Sequence, residues 1–344
     1  MFNIRLYSSG SFMKAAFIQT TGVPEVIEFG DLAMADPDDY QVLVRTGAVS
    51  VNPIDTYLRS GAVKATLPLP YVIGSDIAGT VEAVGKSVKQ FAVGDRVWGS
   101  NQGLAGRQGT FAEFCTIDEE WLYPSPENVN DETLAAIALT GITAHLGLHL
   151  HGQLQPGEVV FVNGGTGGVG SAVVQIAKAA GAAVVATVGS LQKQQLAIKL
   201  GADYVINYRE QCVKEALPNI LKQTGPVNLW FESLRNPDPG FTIPLMAKRG
   251  RYVLMAGRDA RPEFPVGPFY VNDLRAIGFA MFNASQSEQR TAADALNLLM
   301  ADEKLAPIIG ARFKLAEAAA AHRLQEENTL HSAGTLTGKI VLTP

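Results

Sequence analysis

Val159-Val160-Phe161-Val162-Asn163-Gly164-Gly165-Thr166-Gly167-Gly168-Val169-Gly170 reads as an apolar strand, a glycine turn and the opening of a helix. Gly165-x-Gly167-x-x-Gly170 has the spacing of a dinucleotide fingerprint. The first glycine permits a tight turn, the second lets the backbone approach a pyrophosphate, and the third lets helix and strand pack closely. The free N–H groups and partial positive charge of the helix start would face the phosphates. With 34 glycines in the chain, such spacing also arises by chance, so context decides. An apolar run precedes it, and Ser171-Ala172-Val173-Val174-Gln175-Ile176-Ala177-Lys178 follows with helical spacing. A purely structural glycine turn is the alternative.

Downstream, strands and helices alternate. Strands are expected at 158–163, 183–188, 203–207, 227–232, 251–255 and 274–280, with helices at 168–181, 191–200 and 210–223. That order predicts an α/β fold with a doubly wound parallel sheet, a Rossmann arrangement. Upstream, residues 13 to 125 hold short alternating patterns such as Gln41-Val42-Leu43-Val44-Arg45-Thr46 and Gly79-Thr80-Val81-Glu82-Ala83-Val84, separated by glycine turns. These predict a compact, partly open β-barrel. Asp131 is expected to cap a helix over 132–139. Helices over 287–301 and 316–325 follow, and Gly338-Lys339-Ile340-Val341-Leu342 is expected to return as a strand to the first domain. The resulting division is 1–137 with 285–344 for the barrel domain and 138–284 for the nucleotide-binding domain.

A chain of 344 residues is long enough for two cores. Its net charge of −5 argues against nucleic acid or an anionic membrane as the main partner. No run approaches the 18 or so unbroken apolar residues of a membrane span. Residues 1–12 lack the apolar core of a signal peptide and read as an extension before a first strand at Met13. A cytoplasmic enzyme is the expectation. Cys115 lies in an alternating strand and reads as a small core residue, and Cys212 opens a surface helix. His145, His149 and His151 read as helix-face residues rather than a metal site.

An acidic residue about 20 positions past the glycines would receive ribose hydroxyls. Here the second strand ends Val188-Gly189-Ser190, with no acid, and Lys193 follows. An acid there would repel a 2′-phosphate, whereas a hydroxyl and a cation would hold one. The expected cofactor is therefore NADPH, unless Lys193 merely solvates a helix. Tyr208 either flanks the adenosine end or packs at a strand end.

Two further stretches carry a family resemblance. One is Gly74-Ser75-Asp76-Ile77-Ala78-Gly79-Thr80-Val81-Glu82-Ala83-Val84-Gly85, running on to Phe91-Ala92-Val93-Gly94-Asp95-Arg96-Val97. The other is Val51-Asn52-Pro53-Ile54-Asp55-Thr56-Tyr57-Leu58-Arg59-Ser60-Gly61. With the glycine run and the closing strand, they resemble the medium-chain dehydrogenase/reductase superfamily, and within it the zinc-independent, zeta-crystallin-like quinone oxidoreductases. The resemblance spans residues 13–344. It implies a GroES-like catalytic domain, a Rossmann domain, NADPH in a cleft between them, and a homodimer or homotetramer.

It also implies a chemistry. Zinc alcohol dehydrogenases of the superfamily take ligands from Cys-x-x-Asp and Gly-His-Glu segments. This chain has Asn52 at the cysteine position and Ser75 and Asp76 where His and Glu stand. With two cysteines in all, a four-cysteine structural zinc has no ligands. No zinc is therefore expected. A quinone accepts hydride without a Lewis acid, because charge spreads onto conjugated oxygen. By resemblance, Asn52 and Tyr57 line the nicotinamide and substrate side as donors to a developing oxyanion, with Asp55 beside them. Asn52 and Asp55 shaping a loop, and Tyr57 packing, is the alternative. By resemblance, Thr143 and Lys339 match family positions near the cofactor. Gly257 ends the fifth expected strand at its carboxyl edge, where ligands bind in such sheets, Phe282 and Asn283 follow the sixth and would close over the nicotinamide, and Thr166, Gly168 and Val169 lie in the glycine turn. Helix capping or packing for Thr143, and a surface place for Lys339, are their alternatives. A tyrosine used by enoyl-thioester reductases is Val63 here. The expected activity is NADPH-dependent quinone reduction. Reduction of alkenals or enones, a weakly catalytic NADPH-binding crystallin-like protein, and a zinc alcohol dehydrogenase are the competing readings.

Overall fold

The computed structural model describes residues 11–331 and 333–344. The expected extension falls mostly outside these residues. In chain order the elements are β1 (Phe12–Ile18), β2 (Glu28–Ala33), β3 (Gln41–Val51), α1 (Pro53–Ser60), β4 (Tyr71–Val72), β5 (Asp76–Val84), β6 (Arg96–Gly99), β7 (Phe114–Asp118), β8 (Leu122–Pro124) and α2 (Asp131–His145). Then come β9 (Val159–Asn163), α3 (Gly168–Ala179), β10 (Ala183–Val188), α4 (Leu191–Lys199), β11 (Tyr204–Asn207), α5 (Val213–Thr224), β12 (Val227–Glu232), α6 (Pro239–Thr242), β13 (Met246–Leu254), α7 (Val266–Val271), β14 (Arg275–Gly278) and α8 (Gln286–Ala301). The chain closes with β15 (Ile309–Lys314), α9 (Ala318–Thr329) and β16 (Lys339–Thr343).

Two compact units result. The first joins described residues up to Leu139 with Ile309–Pro344, and the second is Thr140–Ile308. The return to the first unit thus comes at 309, not 285. Residues 285–308 stay with the second unit because α8 packs there. Gln289 donates to the Met281 and Ala284 carbonyls, and Gln175 donates to the Ala306 carbonyl.

In the first unit β3 is the central strand. Its amino-terminal half pairs antiparallel with β7 and its carboxyl half with β16, while β5 runs along its other edge. A three-stranded sheet of β2, β1 and β4 completes this GroES-like unit, and neither sheet closes on itself. Inward residues of both sheets, among them Ala16, Ile18, Val44, Val49, Ile77 and Ile340, form one core. The expected cap at Asp131 is corrected: Asn130 accepts from the Thr133 N–H, and Asp131 is bound by Arg96. The helix also runs past 139 to His145 and continues as a π-helical segment, Leu146–His151. Asp131–His151 is apolar and long enough to cross a membrane, but 78 % of its most apolar window is buried inside the protein.

The second unit is a six-stranded parallel sheet in the order β11-β10-β9-β12-β13-β14. The order reverses between β9 and β12, so the carboxyl ends of these strands form the crevice where such sheets take ligands. Phe161 and Trp230 stack across this switch, ring centroids 3.9 Å apart, within a core that includes Val185, Ile206 and Tyr252. Arg251 grips both oxygens of Glu158 at 2.8 and 2.5 Å and donates to the Gly152 carbonyl, which fastens the end of the π-helical segment to the sheet.

Candidate functional site

In the second unit the glycine turn follows β9, and each glycine has a separate steric reason. A Cβ on Gly165 would lie 2.7 Å from the Ala186 Cβ, and one on Gly170 would lie 2.0 Å from the Gly164 carbonyl oxygen. On Gly167 the nearest atom would be 3.5 Å away, so that face is open. Gly167 is the N-cap of α3, whose first N–H groups have no partner within the helix. Thr166 lies buried in the turn, with Gly168 and Val169 opening the helix. The arrangement leaves backbone donors on an open face, the geometry a pyrophosphate needs.

At the end of β10, Ser190 caps α4, its hydroxyl accepting from the Lys193 N–H at 3.2 Å. The Tyr208 phenol rests on Gly189, where a Cβ would come within 2.3 Å of its oxygen, and half of the tyrosine is exposed. Burial, and then the positive charge of Arg209, hold the Lys193 ammonium below its usual range. Arg209 is thus a second cation at this place, one the sequence reading missed although it adjoins Tyr208. Beside them a cavity of about 240 Å³ opens at the carboxyl ends of β9, β11 and β12, lined by Tyr208, Leu234, Asn236 and Phe241 with Glu232 among its buried walls.

The remaining candidates of this unit separate by burial. Thr143, in α2, is 2 % exposed, and its hydroxyl has no hydrogen-bond partner among the described residues. Gly257 has φ of +85°, and a Cβ there would meet the Arg235 carbonyl at 2.7 Å. Phe282 and Asn283 form a single turn after β14, the first half-buried and the second exposed. The rings of His145 and His149 lie 4.7 Å apart, and burial lowers His145 to about 4. No group of three or more His, Cys, Asp or Glu residues suited to a metal occurs among the described residues. Cys115 is buried in the first unit, and burial pushes its thiol up to about 12, too high for a nucleophile at neutral pH. Cys212 is exposed at the start of α5.

Asn52, Asp55, Asp76 and Lys339 come together in the first unit, all under 5 % exposed. Asp76 accepts from Ser50 Oγ and Asn52 Nδ2 on one oxygen and from Ser100 Oγ and the Leu139 N–H on the other. Lys339 donates to the Val51 carbonyl at 2.8 Å and to Asn52 Oδ1, with its ammonium 3.8 Å from Asp76. Asp55, at the third position of α1, accepts from the Asn52 N–H at 2.7 Å and from Ser75 Oγ at 2.6 Å. Burial raises the Asp55 carboxyl to about 7, against the bond from Ser75. Lys339 is therefore interior, and burial lowers its ammonium. Tyr57, one turn along α1, is half-buried.

Comparison with known proteins accords with both units. Residues 38–127 match the alcohol dehydrogenase GroES-like domain, and residues 168–299 match the family model described as zinc-binding dehydrogenase. The human quinone oxidoreductase is 33 % identical over 331 residues, covering 96 % of this chain and 97 % of its own. That of Pseudomonas aeruginosa is 34 % identical over 332 residues, covering 94 % and 97 %. Among solved structures, a mycobacterial quinone oxidoreductase superposes with a TM-score of 0.83 at 30 % identity, covering 96 % of this chain and all of that one. The Escherichia coli quinone oxidoreductase in complex with NADPH superposes with a TM-score of 0.80 at 27 % identity, covering 97 % and 99 %. A glycine turn on a parallel sheet, a GroES-like unit and relatives matched over nearly their whole length lead to one assignment: the chain belongs to the zinc-independent quinone oxidoreductase branch of the medium-chain dehydrogenase/reductase superfamily.

Proposed function

We propose that this protein is a cytoplasmic NADPH-dependent quinone reductase that works without a metal. The observation that carries the reading is the environment of Asp76. A catalytic zinc takes about three Cys, His or carboxylate ligands and keeps one position open. Asp76 is the remaining ligand candidate, and four donors already occupy its oxygens beside the Lys339 ammonium. A cation would have to displace that ammonium, so the donor set does not fit zinc. Hydride transfer without a Lewis acid calls for an acceptor that is itself electron-poor, and a quinone is one.

NADPH, when bound, supplies the hydride. The residues fit it: the open face at Gly167, the orphaned Thr143 hydroxyl and the paired cations Lys193 and Arg209. Ser190 and the two cations hold the 2′-phosphate, and the neighbouring cavity takes the adenine. A quinone gains one hydride and one proton to become the hydroquinone. Tyr57 is the donor to the developing oxyanion. Asn52 and Asp55 act through it, by fixing the start of the helix that carries it.

The test is nicotinamide-absorbance turnover of benzoquinone, phenanthrenequinone, an alkenal and an enone, with NADPH and NADH, before and after chelator. Quinone turnover that prefers NADPH and survives chelation is expected. Turnover of the alkenal or enone alone would reassign the reaction to carbon–carbon double bonds. NADPH binding with no turnover would leave a binding protein, and loss of activity on chelation would restore the metal reading. A second copy is proposed as partner, because β14 is an exposed edge strand beside Val266, Tyr270 and Val271, each more than 60 % exposed. A monomer by sedimentation equilibrium at micromolar concentration would reject it.

A further inference from the structure

Three residues lie abreast at the carboxyl edge of the second unit's sheet, and none belongs to the glycine fingerprint. Glu232 ends β12 in register with Asn163 at the end of β9, and Thr187 stands beside Asn163 on β10. Thr187 meets the start of the glycine turn, Asn163 links it to Glu232, and their bonds form one chain. The Gly164 N–H donates to Thr187 Oγ1 at 2.9 Å. That hydroxyl donates to Asn163 Oδ1 at 2.7 Å. The Asn163 amide then donates to both oxygens of Glu232, at 3.0 and 3.1 Å. Every donor points the same way, toward the carboxyl group, so each bond polarises the next.

Two side links stiffen the chain. The Gly165 N–H donates to the Thr187 carbonyl at 2.9 Å, and Ser233 Oγ donates to the Asn163 carbonyl at 2.5 Å. Glu232 also accepts from the Leu234 N–H and from Trp230 Nε1. Thr187 and Glu232 are each 1 % exposed, so a bond left unmade by either is costly. Gly164 itself has φ of +87°, a conformation the turn must hold before any ligand arrives.

We propose that Thr187, Asn163 and Glu232 form a strut that presets the glycine turn for a dinucleotide's pyrophosphate, which makes them positioning residues for cofactor binding. The inference rests on the nucleotide reading above and adds to it. The strut consumes the N–H groups of Gly164 and Gly165, so the donors left for phosphate are those at the start of α3. It also joins two parts of one ligand's site, because Asn163 and Glu232 line the adenine-side cavity while Thr187 holds the turn.

The experiment separates those two parts with two ligands. NADP⁺ carries the pyrophosphate, whereas adenosine 2′-monophosphate carries the adenine and the 2′-phosphate and has no pyrophosphate. Both are titrated by calorimetry into the full-length protein and its variants Thr187→Val, Thr187→Ser and Glu232→Gln, with thermal unfolding of each unliganded protein alongside. Thr187→Val keeps the shape of the side chain and removes the hydroxyl. It is expected to weaken NADP⁺ about fivefold or more, with adenosine 2′-monophosphate unchanged within about twofold. Thr187→Ser restores the hydroxyl and is expected to bind both ligands as wild type does. Glu232→Gln is expected to weaken NADP⁺ in the same sense. Equal weakening of both ligands in Thr187→Val, or unchanged NADP⁺ affinity in Thr187→Val and Glu232→Gln, overturns the strut. A wild-type protein that binds neither ligand overturns the nucleotide reading and the strut with it, whereas normal wild-type binding with indifferent variants overturns the strut alone.

Discussion

Asp55 and His322 are both buried in the first unit, and burial moves their protons in opposite senses. Asp55 is raised to about 7, so between its unfolded value near 4 and pH 7 the folded protein holds a proton that the unfolded chain releases. Its contribution to stability is full below that window and falls as pH rises through it. Asp55→Asn removes this slope. Its amide reproduces the acceptor and donor of the protonated acid, with Ser75 Oγ able to accept, so below pH 7 it is expected to cost less than about 1 kcal/mol. Urea midpoints from pH 4 to 8 check both effects, and a wild-type slope that persists in the variant would refute the assignment. His322 is fully buried, packs edge-on to Phe111, and has no hydrogen-bond partner on either ring nitrogen among the described residues. Burial, with the charge of Arg59, lowers it to about 3. The unfolded chain therefore binds more protons between about pH 6.5 and 3, and this residue weakens the protein as pH falls through that range. His322→Leu is expected to stabilise by about 1–3 kcal/mol at neutral pH and to flatten the acid limb, read by the same denaturant series. Neither behaviour was legible in the sequence. Asp55 drew notice through its motif, but Ser75 and the enclosing core are assembled by distant segments.

At the scale of elements, the turn before α3 was legible because its reasons are local: an apolar strand, three spaced glycines and a helical run. The structure adds that the glycines are not equivalent. Gly170→Ala drives a methyl into the Gly164 carbonyl and is expected to cost more than about 2 kcal/mol in stability, seen as a lower midpoint without ligand. Gly167→Ala has room and an ordinary φ of −72°. It is expected to leave the midpoint unchanged while abolishing measurable NADPH binding by fluorescence titration. Equal stability loss in both variants would mean that Gly167 serves the fold and not the ligand. The start of α4 supplies a second test. Charge-assisted bonds contribute about 1.5–3 kcal/mol, so Lys193→Ala and Arg209→Ala are each expected to raise the NADPH dissociation constant roughly 10-fold or more, with NADH binding unmoved. Parallel losses for both cofactors would place the two cations elsewhere. Arg209 escaped the sequence reading because nothing local in Tyr208-Arg209-Glu210 says that the end of β11 faces the start of α4. Parallel pairing of β10 with β11 does that. The cap of α2 departs from expectation for a similar reason. Asp131 is a good capping residue by type, but Arg96 claims it, and Asn130 caps instead.

For the whole molecule, the division into a β-rich unit and a parallel α/β unit followed from texture alone, and so did the return of the last strand. The point of return did not, because α8 carries no sequence mark saying which core it covers. Contacts of Glu326 and Asn328 fasten the chain ahead of β16. Glu326 pairs with buried Arg59, and Asn328 accepts from the Leu336 N–H before the chain enters β16. The consequence is that the first unit is made of two separated pieces, whereas the second is one continuous stretch. β16 contributes Ile340, Val341 and Leu342, all fully buried, and it also carries Lys339, which holds Asn52. At about 1.5–3 kcal/mol for each buried aliphatic side chain, its removal forfeits roughly 5–9 kcal/mol, which is of the order of a domain's whole stability. Deleting residues 338–344 is therefore expected to unfold the first unit and spare the second. Limited proteolysis with mass readout would show rapid cleavage within residues 11–139 and a resistant fragment near 140–308. That fragment's sheet would still hold the turn, Ser190, Lys193 and Arg209, so adenosine 2′-monophosphate binding is expected to survive the deletion while quinone turnover is lost. Uniform digestion of the truncated chain would show that the second unit does not stand without the first, and turnover at the wild-type rate would show that the strand is dispensable to the first unit.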